Sequence, residues 1–262
     1  MVPRQWDGGP EPAVSAPPVP DLGAGREQAP FGLVAAFSWE VRPLLRRQNG
    51  VARDGPFYSF RLRGQPVWLA VAGMGAEHSF QAARDLVERG CVRGLVTLGF
   101  AGALADSLAP GEIVVADQVL DQQSGARFAC DGEFFPMGGA RRGNLLSVLS
   151  VITAAAEKRR LAREWGAVAA DMKSAGVARA AAQAGVPFCA IKAITDTSGQ
   201  SISIDFTRCR SEHNGLSVRR IMREALRSPR GIRDVWMLAH GARVAARSLA
   251  AALCPADSRG TR

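Results

Sequence analysis

The sequence predicts a single large α/β domain, and three observations support this fold class. The chain has 262 residues, of which 47% are hydrophobic and 22% charged, so it is long enough to bury one sizeable core. Residues 186–194 form an apolar run that ends abruptly in a polar segment containing Asp196, as buried strands do. Residues 172–184 carry apolar side chains at helical spacing, and Gly185 follows as a helix stop. With the strand expected before that helix, these segments make a βαβ unit.

This unit places Asp196 at the carboxyl end of its second strand. Open α/β sheets bind their ligands just outside the carboxyl ends of the strands. Asp196 is therefore the first candidate functional residue of the chain.

Composition narrows the classes of partner. The formal net charge of +9 is rich in arginine and favours anionic partners such as phosphate or an acidic membrane surface. Nucleic-acid binding is not expected, because no basic run is interleaved with aromatic residues and the chain has a single Tyr. The 5 cysteines are an odd number without a CxxC pair, so we expect reduced thiols and no metal site.

The first segment of the chain differs in composition from the rest. Residues 1–30 are rich in Pro and Gly with few aliphatic residues, which predicts a disordered tail followed by one domain over residues 31–262. They lack the apolar core of a signal peptide, and no apolar run reaches the roughly 18–20 residues of a membrane span. We therefore expect a cytoplasmic protein, with peripheral membrane contact left open.

The predicted domain opens with a strand over residues 31–37 and a helix for which Ser38 is the candidate N-cap. Glu40 then falls in the first helical turn, where the helix dipole favours a carboxylate. That position also lies near a sheet edge. Glu40 is either a site residue or a glutamate that only supports its helix.

Two paired strands are predicted next, over residues 57–62 and 66–72, joined by a turn at residues 63–65. The Gly73-Met74-Gly75 turn then leads into a helix that ends at Gly90. Glycines before a helix can bind phosphate through backbone N–H groups. Because Glu77 in the first turn would repel an anion, a tight connection is the simpler interpretation.

Two further strands are predicted over residues 92–98 and 112–120, the first ending in the glycine-rich GFAGAL segment. Residues 121–143, which follow the second of these strands, have no regular pattern of apolar residues. The loop carries Phe128, Phe134 and Phe135, which could cover a base or act as a hydrophobic latch. The latch is the simpler interpretation.

The segments GFAGALADSLAPGEIVVADQVL and ADMKSAGVARAAAQAGVPFCAIKAITD resemble the paired signatures of the purine nucleoside phosphorylase and nucleosidase superfamily, which includes the methylthioadenosine/S-adenosylhomocysteine nucleosidases. The Glu40 segment and the Gly73-Met74-Gly75 turn fall in the expected order, so the resemblance covers residues 31–200. Within the superfamily, SVITAAAEKRRLAREWGAVAADMKS is most similar to the hopanoid-associated phosphorylase branch, in which a short AEK-type helix precedes a GA-x-A-x-DM motif.

The resemblance implies a three-layer αβα sandwich around a mixed central sheet. It also implies cleavage of the N-glycosidic bond of a purine nucleoside by phosphate or water, with adenosylhopane as one candidate substrate. Such a bond breaks through an oxocarbenium-like state, so an acid at the leaving base and a positioned nucleophile supply most of what is needed. A nucleoside is the implied partner and phosphate a possible co-substrate; no metal or cofactor is implied, and a homo-oligomer is expected.

The resemblance also assigns roles. Asp196 would protonate or hydrogen-bond the purine N7, and Glu40 would orient the attacking water. The implied substrate-binding residues are Met172 under the ribose, Phe100, Ala101 and Gly102 on the sugar and nucleophile side, Val151 and Ile152 beside the base, and Asp171 with Lys173 near the sugar hydroxyls.

The chain departs from the family pattern at the sugar. The family has a glutamate that accepts hydrogen bonds from the ribose hydroxyls, and here that position is Lys173, which has donors only. A lysine pointing into the site would also favour the ionised form of Asp196, the wrong form for an acid. Lys173 could instead bind a phosphate or phosphorylated sugar, or Asp171 could take over the hydroxyls. A catalytically weak or inactive nucleoside- or lipid-binding protein is the alternative.

The phosphate site of the phosphorylases is also altered. The family uses an arginine and a serine there, and the corresponding positions are Thr97 and Phe100. Arg42 or the pair Arg141 and Arg142 could substitute for them. Glu40 favours hydrolysis, whereas the branch resemblance favours phosphorolysis, so both remain open.

Two basic amphipathic helices are predicted within residues 215–253, divided by Pro229. In the second, an apolar stripe at helical spacing indicates packing on the core; it comprises Val235, Leu238, Ala242, Ala245 and Leu249. The alternative is an interfacial helix that meets an anionic membrane. The histidines form no metal-binding or catalytic motif and are expected to be structural or exposed.

Overall fold

The computed structural model describes residues 29–90, 92–204, 206, 209 and 218–254, so most of the predicted tail lies outside the described residues. The strands are β1 Phe31–Ala35, β2 Ala52–Asp54, β3 Phe57–Leu62, β4 Gln65–Val71, β5 Gly94–Ala103, β6 Ile113–Asp121, β7 Arg127–Ala129, β8 Arg141–Ser147, β9 Ala167–Asp171 and β10 Phe188–Asp196. The helices are α1 Ser38–Leu45, α2 Ala76–Arg89, α3 Ala155–Trp165, α4 Ser174–Ala184, α5 Val218–Ala225 and α6 Pro229–Leu253.

The strands form one mixed sheet, as predicted, and part of it closes on itself. In the described residues the order is β10-β6-β8-β9-β5-β1-β4-β3-β2, and β10 also pairs with β5. A closed five-stranded barrel is therefore formed by β5, β9, β8, β6 and β10. The other strands of this order, β1, β4, β3 and β2, extend from the barrel as an open sheet that starts at β5. The expected three-layer sandwich is not confirmed, because a barrel replaces half of the flat sheet that it requires.

Helices cover two faces of the open part of the sheet. Successive side chains of a strand point to opposite faces. In β1, Val34 packs in a core cluster that includes residues of α2 and α4, whereas Leu33 and Ala35 pack in a second cluster that includes residues of α1 and α6. The apolar stripe predicted in α6 is part of this packing, since Ala245 and Leu249 are buried there.

Most predicted elements are present within a few residues of their expected ends, but three strands were missed: the short β2, β7 and β8. β7 and most of β8 lie in or beside the segment that was predicted to be irregular. Pairing with β6 holds both strands in place, and their own sequences give little sign of it. The latch interpretation of the aromatic loop fits the structure, because the rings of Phe134 and Phe135 lie 5.6 and 5.0 Å from that of Phe31.

The start of α1 also differs from the expectation. Ser38 is already helical, and the N-cap position is taken by Phe37, which has no capping side chain. Glu40 in the first turn reaches back to the segment before the helix, where its Oε2 accepts hydrogen bonds from the backbone N–H of Ala36 at 3.0 Å and of Phe37 at 3.4 Å. Glu40 thus supports the start of its helix, as one of the two interpretations expected. The same hydrogen bonds fix its carboxylate at the carboxyl end of β1.

Helices α2 and α4 pack unusually closely. A Cβ atom added at Gly176, in the first turns of α4, would lie 1.9 Å from the backbone O of Ala76 at the start of α2. Only glycine fits such an approach between two backbones. The contact matters for the site because Met74 lies two residues before α2, Lys173 directly precedes α4, and both residues line the cavity described below.

We predict that Gly176→Ala destabilises the protein although alanine is the better helix former. The clash falls on backbone rather than on a flexible side chain, so the helices must separate, at a cost of about 1–3 kcal/mol in the free energy of unfolding. Urea unfolding measures this change. Gly138→Ala is the control, since a Cβ atom there meets nothing within 4 Å; equal stability of the two variants would contradict the prediction.

Candidate active site

A cavity of about 260 Å³ lies where the carboxyl ends of β5, β9 and β10 meet. Strand register brings these ends together: Gly102 is paired with Asp196 of β10 on one side and with Ala170 of β9 on the other. A Cβ atom at Gly102 would lie 3.2 Å from Oδ2 of Asp196. The missing side chain therefore leaves room for the carboxylate beside the cavity.

The structure brings nearly all of the predicted site residues to this cavity. The lining includes Phe100, Ala101, Gly102, Val151, Ile152, Asp171, Met172, Lys173 and Asp196. Glu40 lies behind the lining, in contact with Lys173. The geometry groups these residues, while the individual roles assigned to them remain predictions.

Asp196 is 7% exposed and accepts hydrogen bonds on both oxygens. The hydroxyl of Thr195 donates to Oδ1 at 2.6 Å, and Nζ of Lys158 forms a short ion pair with Oδ2. The same ammonium donates to the backbone O of Thr197 at 2.8 Å. Asp196 is thus held at the cavity wall by a lysine from α3.

Lys158 is the functional candidate that the sequence analysis missed. It is only 1% exposed, and it lines the same cavity. A signal was present in the sequence, because Lys158 lies three residues from both Ala155 and Leu161, which form the buried side of α3. A lysine on the apolar stripe of a helix is seldom buried without a partner.

Lys173 points to Glu40 rather than to Asp196. Its Nζ lies 3.1 Å from Oε1 of Glu40, whose side chain is 2% exposed. Glu40 also passes close to β5, since a Cβ atom at Gly99, where φ is 138°, would lie 2.8 Å from Oε2. The cation beside Asp196 is therefore Lys158, not the Lys173 that the sequence suggested.

Asp171 is engaged by a second buried lysine. Its Oδ2 lies 2.9 Å from Nζ of Lys192 and accepts a hydrogen bond from the hydroxyl of Ser174 at 2.8 Å. Burial raises the pKa of the Asp171 carboxyl, but the charges of Lys192 and Lys173 and the hydrogen bonds from Lys192 and Ser174 outweigh it, so the pKa lies below its ordinary value. For Lys192, burial lowers the pKa of the ammonium. Asp171 is therefore already engaged by Lys192 and Ser174 without any contact to a sugar hydroxyl.

The buried carboxylates around the cavity are therefore all paired with lysines: Asp196 with Lys158, Glu40 with Lys173, and Asp171 with Lys192. Removing two charges from water costs several kcal/mol per ion, roughly what their attraction returns. Such pairs add little stability in place of apolar residues, and clusters of them indicate a functional site.

The arginines that could have substituted as phosphate ligands do not line the cavity. Among the described residues, its cationic lining consists of Lys158 and Lys173. Arg141 donates to the hydroxyl of Ser107, and Arg142 pairs with Asp117 on the surface, while Arg42 is exposed on α1. The hydroxyl of Thr97 accepts a hydrogen bond from Lys192 at 2.9 Å, so this position is also occupied.

Aromatic side chains form the outer part of the cavity. Trp39 is 47% exposed, and its ring lies 5.4 Å from that of Phe37 and 5.3 Å from that of Phe100. Leu238 and Ala242 of α6 also line the cavity. Neither of the described histidines lines it: His78 contacts the backbone O of Met74, and His240 stacks on Trp236. His213 lies outside the described residues.

A larger cavity, of about 360 Å³, lies between β2, β3 and α2. Its charged residues are Arg53, Asp54 and Arg89, and the pair between Arg89 and Asp54 is exposed to solvent. It has no buried ionisable pair, so the smaller cavity at the strand ends is the better candidate.

Comparison with known proteins decides the family. The model of the phosphorylase superfamily matches residues 30–144 and 140–227, well over half of the chain. The chain belongs to the phosphorylase superfamily. A 5′-methylthioadenosine/S-adenosylhomocysteine nucleosidase of Mycobacterium tuberculosis is 26% identical over 213 residues, 64% of this chain and 84% of the relative. The same enzyme of Shewanella oneidensis is 23% identical over 206 residues, 67% of this chain and 87% of the relative.

Solved structures agree with this membership at the level of the fold. A Helicobacter pylori 5′-methylthioadenosine/S-adenosylhomocysteine nucleosidase has a TM-score of 0.65 at 16% identity, covering 86% of this chain and 96% of its own. A futalosine hydrolase of the same organism has a TM-score of 0.65 at 16% identity, covering 87% and 96%. These relatives do not test the hopanoid-associated branch, which stays a prediction.

We predict that Lys192→Met lowers the free energy of unfolding by about 3–5 kcal/mol, because it leaves the Asp171 carboxylate buried without its main partner. Adding Asp171→Asn removes that uncompensated charge, so the double variant should regain much of the loss. Urea unfolding of both measures the coupling. Arg142→Met is the control, since its exposed pair with Asp117 is worth at most about 1 kcal/mol; a Lys192→Met effect no larger than this would contradict the prediction.

Proposed function

We propose that this protein cleaves the N-glycosidic bond of a purine nucleoside, with Asp196 as the acid at the leaving base. The observation that supports this most is the position of Asp196, which lines a cavity at the strand ends of a phosphorylase-superfamily fold. As the bond to C1′ breaks, the ribose gains oxocarbenium character and the purine gains electron density. A proton delivered to N7 stabilises the departing base, an effect typically worth about 10²–10⁴ in rate.

The remaining lining suits a nucleoside in one orientation. Met172 would lie under the ribose, with the Phe100–Gly102 backbone beside it, and Val151 with Ile152 would flank the base. A 5′ substituent would then extend toward the aromatic side of the cavity, at Trp39 and Phe37. We therefore propose a substrate with an apolar 5′ group. Methylthioadenosine and adenosylhopane both have this character.

Water is the nucleophile that we favour. Glu40 is fixed at the end of β1, and Oε1 has a lone pair left beside its contact with Lys173, so it can orient a water molecule. The similar proteins named above are nucleosidases and a hydrolase. Glu40 would take a proton from the water as the C1′–O bond forms.

Phosphorolysis is the second candidate, and one observation favours it. The ammonium of Lys173 lines the cavity and could leave Glu40 for an anion. With phosphate as nucleophile the products differ, because the sugar is released as a 1-phosphate. The alternative of a silent binding protein has no support from the relatives, which are named as enzymes.

We predict that the purified protein releases free base and unphosphorylated sugar from methylthioadenosine or inosine, at a rate that phosphate does not change. Chromatography of the products with and without phosphate measures this. Asp196→Asn should lower the rate about 100-fold or more, because an amide cannot deliver the proton. Sugar 1-phosphate would establish phosphorolysis instead, and ligand binding without any product would overturn the enzymatic proposal.

We also propose that the outer face of α5 and α6 lies against an anionic membrane. Large apolar side chains are exposed there, with Trp236 68% and Leu226 67% exposed, and Ile232 and Met222 also reach solvent. Exposed arginines surround them, namely Arg220, Arg223, Arg227, Arg230 and Arg233. Apolar groups interspersed with cations are typical of surfaces that enter the lipid interface.

A symmetric contact with a second copy would instead bring these like charges together. In the described part of the chain, no helix is both long and apolar enough to span a bilayer.

We predict that the protein sediments with vesicles containing phosphatidylglycerol and not with vesicles of phosphatidylcholine alone. Trp236→Ser should weaken the binding about tenfold or more, because the variant loses the free energy of burying one large apolar side chain in the lipid. Leu149→Ser, at an exposed leucine outside α5 and α6, is the control. A Trp236→Ser variant that changes oligomeric state, measured by light scattering, while lipid binding stays the same would identify this face as a subunit contact and refute the membrane proposal.

A further inference from the structure

The pairing of Asp196 with Lys158 poses a chemical problem for an acid. Both oxygens of Asp196 act as acceptors, Oδ1 toward the Thr195 hydroxyl and Oδ2 toward the Lys158 ammonium. A carboxylate in this arrangement has no proton of its own to give to a leaving base. The nearest group that carries transferable protons is Lys158.

The position of Lys158 suits a proton source better than a structural brace. An ammonium has three N–H groups, and here two of them are taken by Asp196 and by the backbone O of Thr197. Because the lysine also lines the cavity, it stands beside the same space as the carboxylate it pairs with. A brace on the core side of Asp196 would have no cavity contact.

We propose that Lys158 supplies the proton that the leaving purine receives, with Asp196 as the relay. This proposal rests on the proposed function and deepens it by naming where the proton comes from. Lys158 acts through Asp196 and is therefore a positioning and proton-supplying residue.

The proposed step transfers one proton from Lys158 to the departing purine. The C1′–N9 bond breaks and its electron pair goes to the purine. One proton moves from Nζ of Lys158 to Oδ2 of Asp196, and the carboxyl group then gives that proton to N7, so Asp196 ends as a carboxylate and Lys158 as a neutral amine. The water oxygen bonds to C1′, and the proton it releases passes through Glu40 to solvent. Solvent returns one proton to Lys158 when the base leaves.

Other charged groups face this pair and enter its pH dependence. Asp171 and Lys173 line the same cavity from the β9–α4 connection. Lys192 on β10 lies behind Asp171, and Glu40 of α1 holds Lys173. Asp106, from the connection after β5, accepts a hydrogen bond from the hydroxyl of Ser198. In the substitutions proposed below, all of these groups stay unchanged.

The test uses Lys158→Gln, which keeps a hydrogen-bond donor but has no transferable proton. We expect its nucleoside cleavage at neutral pH to fall about 100-fold or more. Activity should recover as the solution becomes more acidic, because solvent then supplies the proton that residue 158 no longer provides. Cleavage of p-nitrophenyl β-D-ribofuranoside should change by less than about tenfold, because its leaving phenolate needs no acid.

Two further variants keep the result interpretable. Lys158→Arg preserves the ion pair, and so the fold, but a guanidinium does not give up its proton, so the same substrate-dependent loss is expected. Arg159→Gln changes the exposed neighbour on α3 and should leave the rate unchanged. Thermal unfolding confirms that each variant is folded.

The outcomes separate this inference from the proposed function. An equal loss on both substrates at every pH would show a structural brace and overturn the inference, as would full activity of Lys158→Gln or Lys158→Arg on nucleosides. If the unaltered protein does not take the aryl riboside, the pH profile on nucleosides decides alone. If the unaltered protein cleaves no nucleoside at any pH, the proposed function itself fails.

Discussion

The parallel pairing of β10 with β5 is the constraint on which the site depends. It closes the five-stranded barrel, and its register sets Asp196 beside Gly102. A glycine at that position is what admits a carboxylate between two strands. Without this pairing, the ends of β5, β9 and β10 would not share one cavity, and the residues that line it would be scattered along an open sheet edge.

Buried lysines give this site its particular chemistry. Each carboxylate near the cavity has a lysine partner, and the partners come from α3, from the start of α4 and from β10 itself. Since an isolated charge cannot be buried cheaply, the buried ammonium of Lys173 is accommodated by the carboxylate of Glu40. Lys173 is therefore not an unpaired cation in the site.

The sequence predicted the fold well where elements carry their own pattern. β10, α2, α4 and the two C-terminal helices follow from apolar periodicity and glycine stops, which act locally. β7 and β8 could not be found this way, because pairing with β6 defines them and Arg141 and Arg142 begin β8 with polar residues. The barrel was missed for the same reason: closure depends on which strands pair, and periodicity does not show that.

The sequence predicted which residues lie at the site, but it did not predict which of them form ion pairs. Asp196 at a strand end, Gly102 of β5 and Met172 were identified from sequence, and all three line the cavity. The partner of Asp196 was not, because α3 and β10 are brought together only by the tertiary fold. A Lys173 side chain pointing into the site would have favoured the ionised form of Asp196, but the side chain extends instead to Glu40 of α1. Side-chain direction at a helix start is decided by nearby acceptors, which a single sequence does not reveal.

Because the charges around the cavity cancel, the site exerts little long-range attraction on a ligand. The chain carries a formal net charge of +9, but the lysines of the site are neutralised by their carboxylates. The excess positive charge therefore belongs to the outer surface, and its field reaches no farther than about 8–10 Å at physiological ionic strength. An uncharged nucleoside would enter a cavity that attracts it only at contact, whereas an anionic surface would be attracted by the charge of the exterior. Ligand capture and attraction to such a surface would then depend on separate sets of charges.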